Sequence, residues 1–535
     1  MSHLGLQVLY GTANNLPGVW CERAFSPWPD MEAGLRGEGL HLASLESGRA
    51  LSDFDILAFT LQYELCYTNV LNMLDLGGVP LKRADRTDKH PIVIAGGPCA
   101  LNPAPMSDFI DAFVIGDGEE VFGEILRNSP VAAAASPFNK GDKLQRLSEI
   151  EGVFVPEYPN NVTKRTVFNL DTAYYPVNAP VPNTEVVHDR VMLELFRGCI
   201  RGCRFCQAGY ATRPVRGRSV ETLAKQGIDA LSFSGCDEIA LTSLSTSDYP
   251  ELDKLCDELL KYCEPRRISL SLPSLRADSF SRELLQKVQK TRKSGLTFAP
   301  EAGTARLRDV INKNLTEEDM LNACALAFEG GWNNIKLYFM LGLPTETDED
   351  ILGIADLAEK VYFKWREVTP DRSRGVRVTV SASSFVPKPH TPFQWAAQDS
   401  FEELVRKQQL LKKALRKQIN FNYHDANTSI LECILARGDA ALGAAIETAL
   451  RSGCRMDAWR EFFDFEKWMD ALEKHGLSSD RYTGGFDPEA PTPWHNISIG
   501  VDLEFLRGEY NLALAGETTP DCKTACVGCG VGCNV

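Results

Sequence analysis

The segment Arg197-Gly-Cys-Ile-Arg-Gly-Cys-Arg-Phe-Cys-Gln-Ala-Gly209 sets Cys199, Cys203 and Cys206 in a Cys-x3-Cys-x2-Cys array, with Phe205 ahead of the last thiol. Three thiolates on a short glycine-bearing loop can ligate three irons of a cubane cluster. The fourth iron is then open to a substrate. The alternatives are zinc, which in a structural site takes four ligands, and three unrelated core cysteines. The glycines and the neighbouring aromatic residue favour the cluster. A second group, Cys522-Lys-Thr-Ala-Cys-Val-Gly-Cys-Gly-Val-Gly-Cys533, brings Cys522, Cys526, Cys529 and Cys533 together within twelve residues. Its glycines let backbone amides turn toward sulfur. An auxiliary iron–sulfur cluster is the leading reading there, beside tetrahedral zinc and a disordered or redox-active tail. The other nine of the sixteen cysteines are scattered and read as small buried hydrophobes.

The elements that must carry these groups follow a strand–helix alternation. Asp55–Leu61, Pro91–Gly97 and Ala112–Gly116 read as buried strands, with Tyr67, Val70, Leu71 and Leu74 on one face of an intervening helix. The second and third strands end in glycine, where backbone must approach something closely or enter a helix. This is the pattern of a doubly wound parallel sheet. A proline-marked connector with Pro176, Pro180 and Pro182 precedes a more regular series. Its strand candidates are Val191–Phe196, Glu238–Leu244, Arg267–Leu272, Gly295–Phe298, Ile335–Leu341 and Val376–Ser381. Helices fill the gaps, such as Ser219–Leu231 with Ser219 as N-cap. Six β/α units close toward a barrel whose chemistry lies at the C-terminal strand ends, and the first cysteine group directly follows the first strand.

The fold class expected is therefore α/β: an N-terminal Rossmann-like parallel sheet, a central partial (β/α)6 barrel, and a mainly helical C-terminal region ending in a Cys-rich tail. The boundaries are drawn at 1–170, a linker at 171–188, 189–400, 401–515 and 516–535. With 535 residues, 44% apolar and 24% charged, the chain is an ordinary multidomain globular protein. No apolar run is long enough to span a bilayer and Met1 to Asn15 lacks a basic start with an apolar core, so a soluble cytoplasmic protein with no membrane partner is expected. A net charge of −15 argues against general nucleic-acid binding. Two basic stretches run against it. Arg197, Arg201, Arg204, Arg213, Arg216 and Arg218 surround the first thiols and favour an anionic substrate, or balance the cluster. Arg406, Lys407, Lys412, Lys413, Arg416 and Lys417 read as a solvated helix face. His390, His424 and His495 receive no role. Glu432, Arg437 and Asp439 are read either as a group at the barrel mouth or as surface ion pairs.

The cysteine segment resembles the signature of radical S-adenosylmethionine (SAM) enzymes. These bind SAM at the unique iron of a [4Fe-4S] cluster and cleave it reductively to a 5′-deoxyadenosyl radical. The resemblance continues in order along the strand ends. Leu241-Thr-Ser-Leu-Ser-Thr-Ser-Asp248 implies SAM contacts at Ser243, Ser245 and Thr246, and Thr297-Phe-Ala-Pro-Glu-Ala-Gly303 implies one at Glu301. Leu341-Gly-Leu-Pro-Thr-Glu-Thr-Asp348 implies that Gly342 and Pro344 pack near the adenine, and Phe205 belongs to the same SAM set. Phe385-Val-Pro-Lys-Pro-His-Thr-Pro-Phe393 is similar to methylthiotransferase-like members. The N-terminal region resembles the cobalamin-binding-type domain of a widespread bacterial family of such proteins, on Gly96, Gly97, Gly116, Gly118 and Glu119. It lacks the Asp-x-His-x-x-Gly motif, which leaves two readings, cobalamin bound without that histidine or an empty scaffold. Similar proteins have a strand behind the point where this chain opens, so either the start lies upstream or the sheet lacks a strand. The resemblance implies catalysis on an unidentified substrate, by methyl transfer, sulfur insertion or rearrangement, with RNA among the candidates and a low-potential electron donor as partner. The competing expectation is a non-catalytic iron–sulfur carrier or RNA-associated protein that has kept the barrel.

Overall fold

Short buried runs that end in glycine do become parallel strands. In the computed structural model, which describes residues 3–128, 139–273, 276–279, 295–369, 373 and 375–532, they fall into two compact units. One comprises Gly5–Val167 and Ile430–Gly500, the other Met1–Leu4, Phe168–Ser429 and Val501–Val535.

In the first unit, β1 (Ile56–Thr60), β2 (Ile92–Gly96) and β3 (Ala112–Val114) are parallel, and β4 (Val153–Phe154) closes the edge antiparallel. The strands lie side by side in chain order. The described sheet thus has no reversal of order, the feature that opens a ligand crevice in doubly wound sheets. The helix Tyr67–Leu76 is buried on nearly every side, including Thr68, Asn69 and Asn72. The cause lies far along the chain. Met456 N–H donates to Asn69 Oδ1 at 2.7 Å, and Thr68 Oγ1 donates to Asp457 Oδ2 at 2.6 Å. Asn102 Nδ2 donates to the carbonyls of Ala436 and Gly438, both at 2.9 Å. The stretch 430–500, expected within one helical region at 401–515, therefore returns to the N-terminal sheet. Polar side chains on a buried helix need partners; those of Thr68 and Asn69 come from that return, while Asn72 is held by Glu32 and Arg36 of the N-terminal segment.

The second unit carries β5 (Val191–Glu194), β6 (Glu238–Thr242), β7 (Ser269–Ser271), β8 (Leu296–Glu301), β9 (Asn334–Leu341), β10 (Arg377–Ser384) and β11 (Ile419–Tyr423). They form two all-parallel sheets, β5-β6-β7 and β8-β9-β10-β11, in continuous chain order. All six predicted strands of the partial barrel are present. The seventh, β11, lies in the stretch expected to be helical; Ile419-Asn-Phe-Asn-Tyr423 alternates with period two and extends the second sheet at its edge. Helices separate the strands. Ser219 caps the helix Val220–Ser234 by accepting from Thr222 N–H at 3.3 Å, as its sequence position predicts. Thr316 with Asp319, and Thr347 with Asp350, form capping boxes on the helices Glu317–Glu329 and Asp348–Val368. The predicted basic helix, Phe401–Ala414, exposes Lys412 and Lys413, but Lys407 is buried between Glu346 at 2.9 Å and Asp399 at 2.7 Å. That residue is a core ion-pair member rather than part of a solvated face. Among the described residues no helix is long and apolar enough to cross a membrane.

Candidate functional site

After β5 the chain leaves the sheet and returns through a narrow neck. Phe196–Arg197 pairs antiparallel with Arg216–Gly217. At Gly198 φ is +92°, and a Cβ there would lie 2.7 Å from Pro214 O. Glycine is required where the two arms meet. Everything between the arms is the cysteine loop.

Within it each thiol is oriented by local backbone. Cys199 Sγ accepts from Arg201 N–H at 3.4 Å, and Cys206 Sγ caps the short helix Gln207–Ala211 by accepting from Gly209 N–H at 3.3 Å. Cys206 N–H donates to Cys203 O at 3.1 Å. All three cysteines are half-exposed and unbridged. Burial raises the Cys199 pKa and pushes that of Cys206 to about 12, against the helping N–H groups. Among the described residues no three His, Cys, Asp or Glu side chains converge on a point that one metal ion would fill. A cubane makes a different demand, since each thiolate meets its own iron, and a glycine-bearing loop with N–H groups on its sulfurs fits that donor set.

The arginines around the loop are held by partners that sequence motifs did not single out, among them Glu509, Asp521 and Glu194. Arg204, fully buried, pairs with Glu509 at 3.0 Å and donates to Val310 O at 3.0 Å. Arg201 pairs with Asp248 at 2.6 Å and Asp521 at 3.1 Å. Arg197 and Arg218 both reach Glu194, and Arg216 donates to the carbonyls of Pro214 and Thr212. These arginines hold the loop's own framework, so the finding favours a structural role over capture of an anionic substrate.

The other predicted positions converge on this loop to different degrees. Phe205 packs on one apolar cluster with Ala302, Leu343 and Phe385, which follow β8, β9 and β10. Three strand ends and the cysteine loop thus share a core. Glu301 ends β8 at a register shift, in the left-handed region at φ +68°, a strained place for a non-glycine residue. It pairs with Lys313 Nζ at 3.2 Å. Burial opposes the charge of Lys313, but Glu301 and Cys203 outweigh it and raise its pKa. No sequence pattern pointed to Lys313. Ser245 and Thr246 are buried inside the turn after β6, where Ser245 Oγ donates to Asp248 at 2.6 Å. Ser243 is half-buried with its Oγ 3.2 Å from that of Thr246. Gly342 N–H donates to Glu346 at 2.7 Å, and Pro344 beside it is half-buried.

In the other unit the predicted glycines meet their own chain. A Cβ on Gly97 would lie 2.8 Å from Leu61 O, and one on Gly116 would lie 2.1 Å from Arg165 O. Gly116 bridges Arg165, and Asp117 N–H donates to Arg165 O at 3.0 Å. Gly96 keeps ordinary contact distance from Val114, and Gly118 faces Leu9 at 3.1 Å. Glu119 is buried in the first turn of the helix Gly118–Asn128. Glu432, Arg437 and Asp439 also belong to this unit rather than to the barrel-bearing one. Tyr63 donates to Glu432 at 2.7 Å, Arg437 lies 3.6 Å over the Phe486 ring, and Asp439 pairs with Arg481.

Of the tail thiols, Cys522 is half-exposed, Cys526 exposed and Cys529 buried. Cys533 lies outside the described residues. Of the scattered cysteines, Cys99, Cys256, Cys263, Cys324, Cys433 and Cys454 are buried, while Cys21, Cys66 and Cys236 are half-buried.

Comparison with known proteins gives these features a common setting. Residues 5–156 match the model of the N-terminal region of radical SAM proteins, rather than a cobalamin-binding model, and residues 193–358 match the radical SAM superfamily. A protein of unassigned function from Methanocaldococcus jannaschii is 31% identical over 465 residues, spanning 85% of this chain and 90% of that one. The tRNA-2-methylthio-N(6)-dimethylallyladenosine synthase of Thermotoga petrophila is 25% identical over 286 residues, 51% of this chain and 59% of that protein. Among solved structures, the radical SAM methyltransferase TsrM of Kitasatospora setae, bound to tryptophan and a SAM analogue, aligns with a TM-score of 0.50. That alignment has 13% identity and covers 74% of this chain and 72% of that one. TsrM has also been solved with cobalamin and a [4Fe-4S] cluster bound. At that identity the likeness is one of fold. The long match to the archaeal protein, together with a cysteine loop at the end of a parallel strand in the matched segment, places this chain in the radical SAM superfamily, whose members are enzymes that use a [4Fe-4S] cluster and SAM.

Proposed function

We propose that Cys199, Cys203 and Cys206 hold the SAM-cleaving [4Fe-4S] cluster and that the surrounding strand ends position SAM and an unidentified substrate. The observation that carries this reading is the pinned loop after β5, with thiols oriented by N–H groups and Phe205 packed on residues that follow β8, β9 and β10. When bound, the cluster and SAM supply a low-potential electron and a 5′-deoxyadenosyl radical that abstracts hydrogen. The chain's own residues do the positioning. Ser243, Glu301, Gly342 and Pro344 are assigned to the SAM wall. Ser245 and Thr246 shape the turn, and Phe205 anchors the loop. Lys313 offsets thiolate charge beside Cys203 and holds Glu301 in place.

The reaction class nearest to this chain is methyl or methylthio transfer, with RNA as substrate, an assignment supported by the tRNA-modifying relative. The N-terminal sheet serves this reading as a scaffold, because its glycines are accounted for by close backbone approaches from Leu61 and Arg165. A cytoplasmic setting and a low-potential one-electron donor complete the reading.

The test is anaerobic. Protein reconstituted with iron and sulfide, given a low-potential one-electron reductant and SAM, should release 5′-deoxyadenosine and methionine. Tritium-labelled transcripts then ask whether label is lost from RNA. Iron without SAM turnover in the intact protein would overturn the catalytic assignment, and corrinoid co-purifying in stoichiometric amount would overturn the scaffold role.

A further inference from the structure

The second cysteine group lies against the first. Cys522 N–H donates to Ile200 O at 3.0 Å, inside the Cys199–Cys203 segment. Asp521, the residue before it, pairs with Arg201 at 3.1 Å. Two residues upstream, Thr519 N–H donates to Asn312 Oδ1 at 2.9 Å, and its hydroxyl donates to Glu509 at 2.6 Å, the carboxylate that also holds Arg204. The tail is therefore fastened to the loop on both of its arginines.

Two independent features around the tail thiols point to a ligand. The first is a buried cation. The Arg213 guanidinium, 3% exposed, lies beside Cys529 and Cys522. It lies 4.6 Å over the Tyr210 ring. A buried positive charge beside two thiols is a place where a bound anionic group would be compensated. The second is the backbone. Gly528, Gly530 and Gly532 have φ of +68°, +89° and +65°, while Cys529 and Val531 between them do not. A backbone that turns left-handed at every second residue can present N–H groups to one side, as in the nests that receive phosphates and iron–sulfur clusters. Gly530 is further fixed because a Cβ there would lie 2.4 Å from Asp502 Cγ, and Cys529 O accepts from Asp502 N–H at 3.0 Å.

We propose that Cys522, Cys526 and Cys529 ligate a second iron–sulfur cluster, cradled by the 528–532 backbone and neighbouring the SAM-cleaving loop. Iron–sulfur chemistry is favoured over mononuclear zinc because the three described thiols do not converge on one ion, whereas a nest suits an extended anionic cluster with inorganic sulfide. The thiols proposed as ligands lie outside the first loop, so either site can fail without the other.

The experiment uses the full chain, purified and reconstituted without oxygen, with iron, zinc and acid-labile sulfide counted. The Cys199→Ala/Cys203→Ala/Cys206→Ala variant should retain about half of the wild-type iron and sulfide and show a reduced-cluster EPR signal. The single variant Cys526→Ser alters an exposed thiol, and it should lose that signal while the first cluster's signal persists. Zinc without sulfide in the triple variant, or no metal at all, overturns the proposal. So does an unchanged spectrum in Cys526→Ser. Circular dichroism confirms that each variant is folded. If the triple variant does not fold, Mössbauer counting of iron in the wild type decides instead: iron for two clusters supports the proposal, and iron for one overturns it.

Discussion

Both units of this molecule run parallel strands into glycine-marked turns, yet the turns do different work. After β5, Gly198 lets two arms of one loop touch, and the loop between them is left with three thiols, two of them facing N–H donors. After β2 and β3, Gly97 and Gly116 admit the backbones of Leu61 and Arg165. The same residue type at the same strand position thus pins a thiol-bearing loop in one unit and marks a packing contact in the other. Glycine reports that something comes close; only the neighbours say whether it is a ligand.

The contrast is tested most severely at the thiols. Cys203→Ala should reduce 5′-deoxyadenosine formation to background in an anaerobic turnover assay while leaving the fold intact by circular dichroism. Gly116→Ala should do the opposite. Its Cβ would collide with Arg165 O and its φ of +100° is unfavourable for alanine, so denaturant unfolding should show a loss of about 3 kcal/mol. SAM cleavage per folded molecule should not change. A stable Gly116→Ala protein with impaired turnover would mean that the N-terminal glycines serve a ligand after all.

A smaller effect is expected at Asp350, which caps the helix after β9 and is held by Thr304, Thr347 and Arg306. Burial opposes ionisation there, but these partners outweigh it and keep the carboxyl below its usual range. A carboxyl depressed in the folded state adds stability that is complete above its unfolded pKa and drains away as pH falls through the folded value. Urea midpoints followed from neutral toward acid pH should therefore decline less steeply in Asp350→Asn. That variant should lose about 1 kcal/mol at neutral pH. The smallest effect belongs to the exposed pair: Lys412→Ala/Lys413→Ala should shift stability by no more than about 0.5 kcal/mol. Weakened binding of a tRNA transcript in that variant, seen by gel shift, would instead identify a nucleic-acid face.

Much of this was legible in the chain because the signals are local. Strands β1 to β3 and β5 to β10, the Ser219 cap and the thiol spacing all rest on a few adjacent residues. What stayed hidden is non-local. The return of 430–500 to the first unit shows in sequence only as Thr68 and Asn69 on a helix that turns out to be buried, and nothing nearby names their partners. Lys313, Arg213 and Lys407 gain their importance from groups far away in the chain. Lys407 in particular sits in a run of charges whose other members are solvated, so its pattern misleads. The strand β11 did carry its period-two alternation, but five residues beside a strong helix are a weak signal.

The proposed chemistry rests on one iron that the protein leaves unligated. EPR-detected hyperfine spectroscopy on the reduced wild-type protein with isotope-labelled SAM interrogates that iron. Coupling is expected from the labelled amino nitrogen and carboxylate oxygen to the cluster at Cys199, Cys203 and Cys206, and it should be retained in Cys526→Ser. A reduced cluster at that loop that shows no coupling to SAM, because a fourth protein ligand completes it, would contradict the assignment.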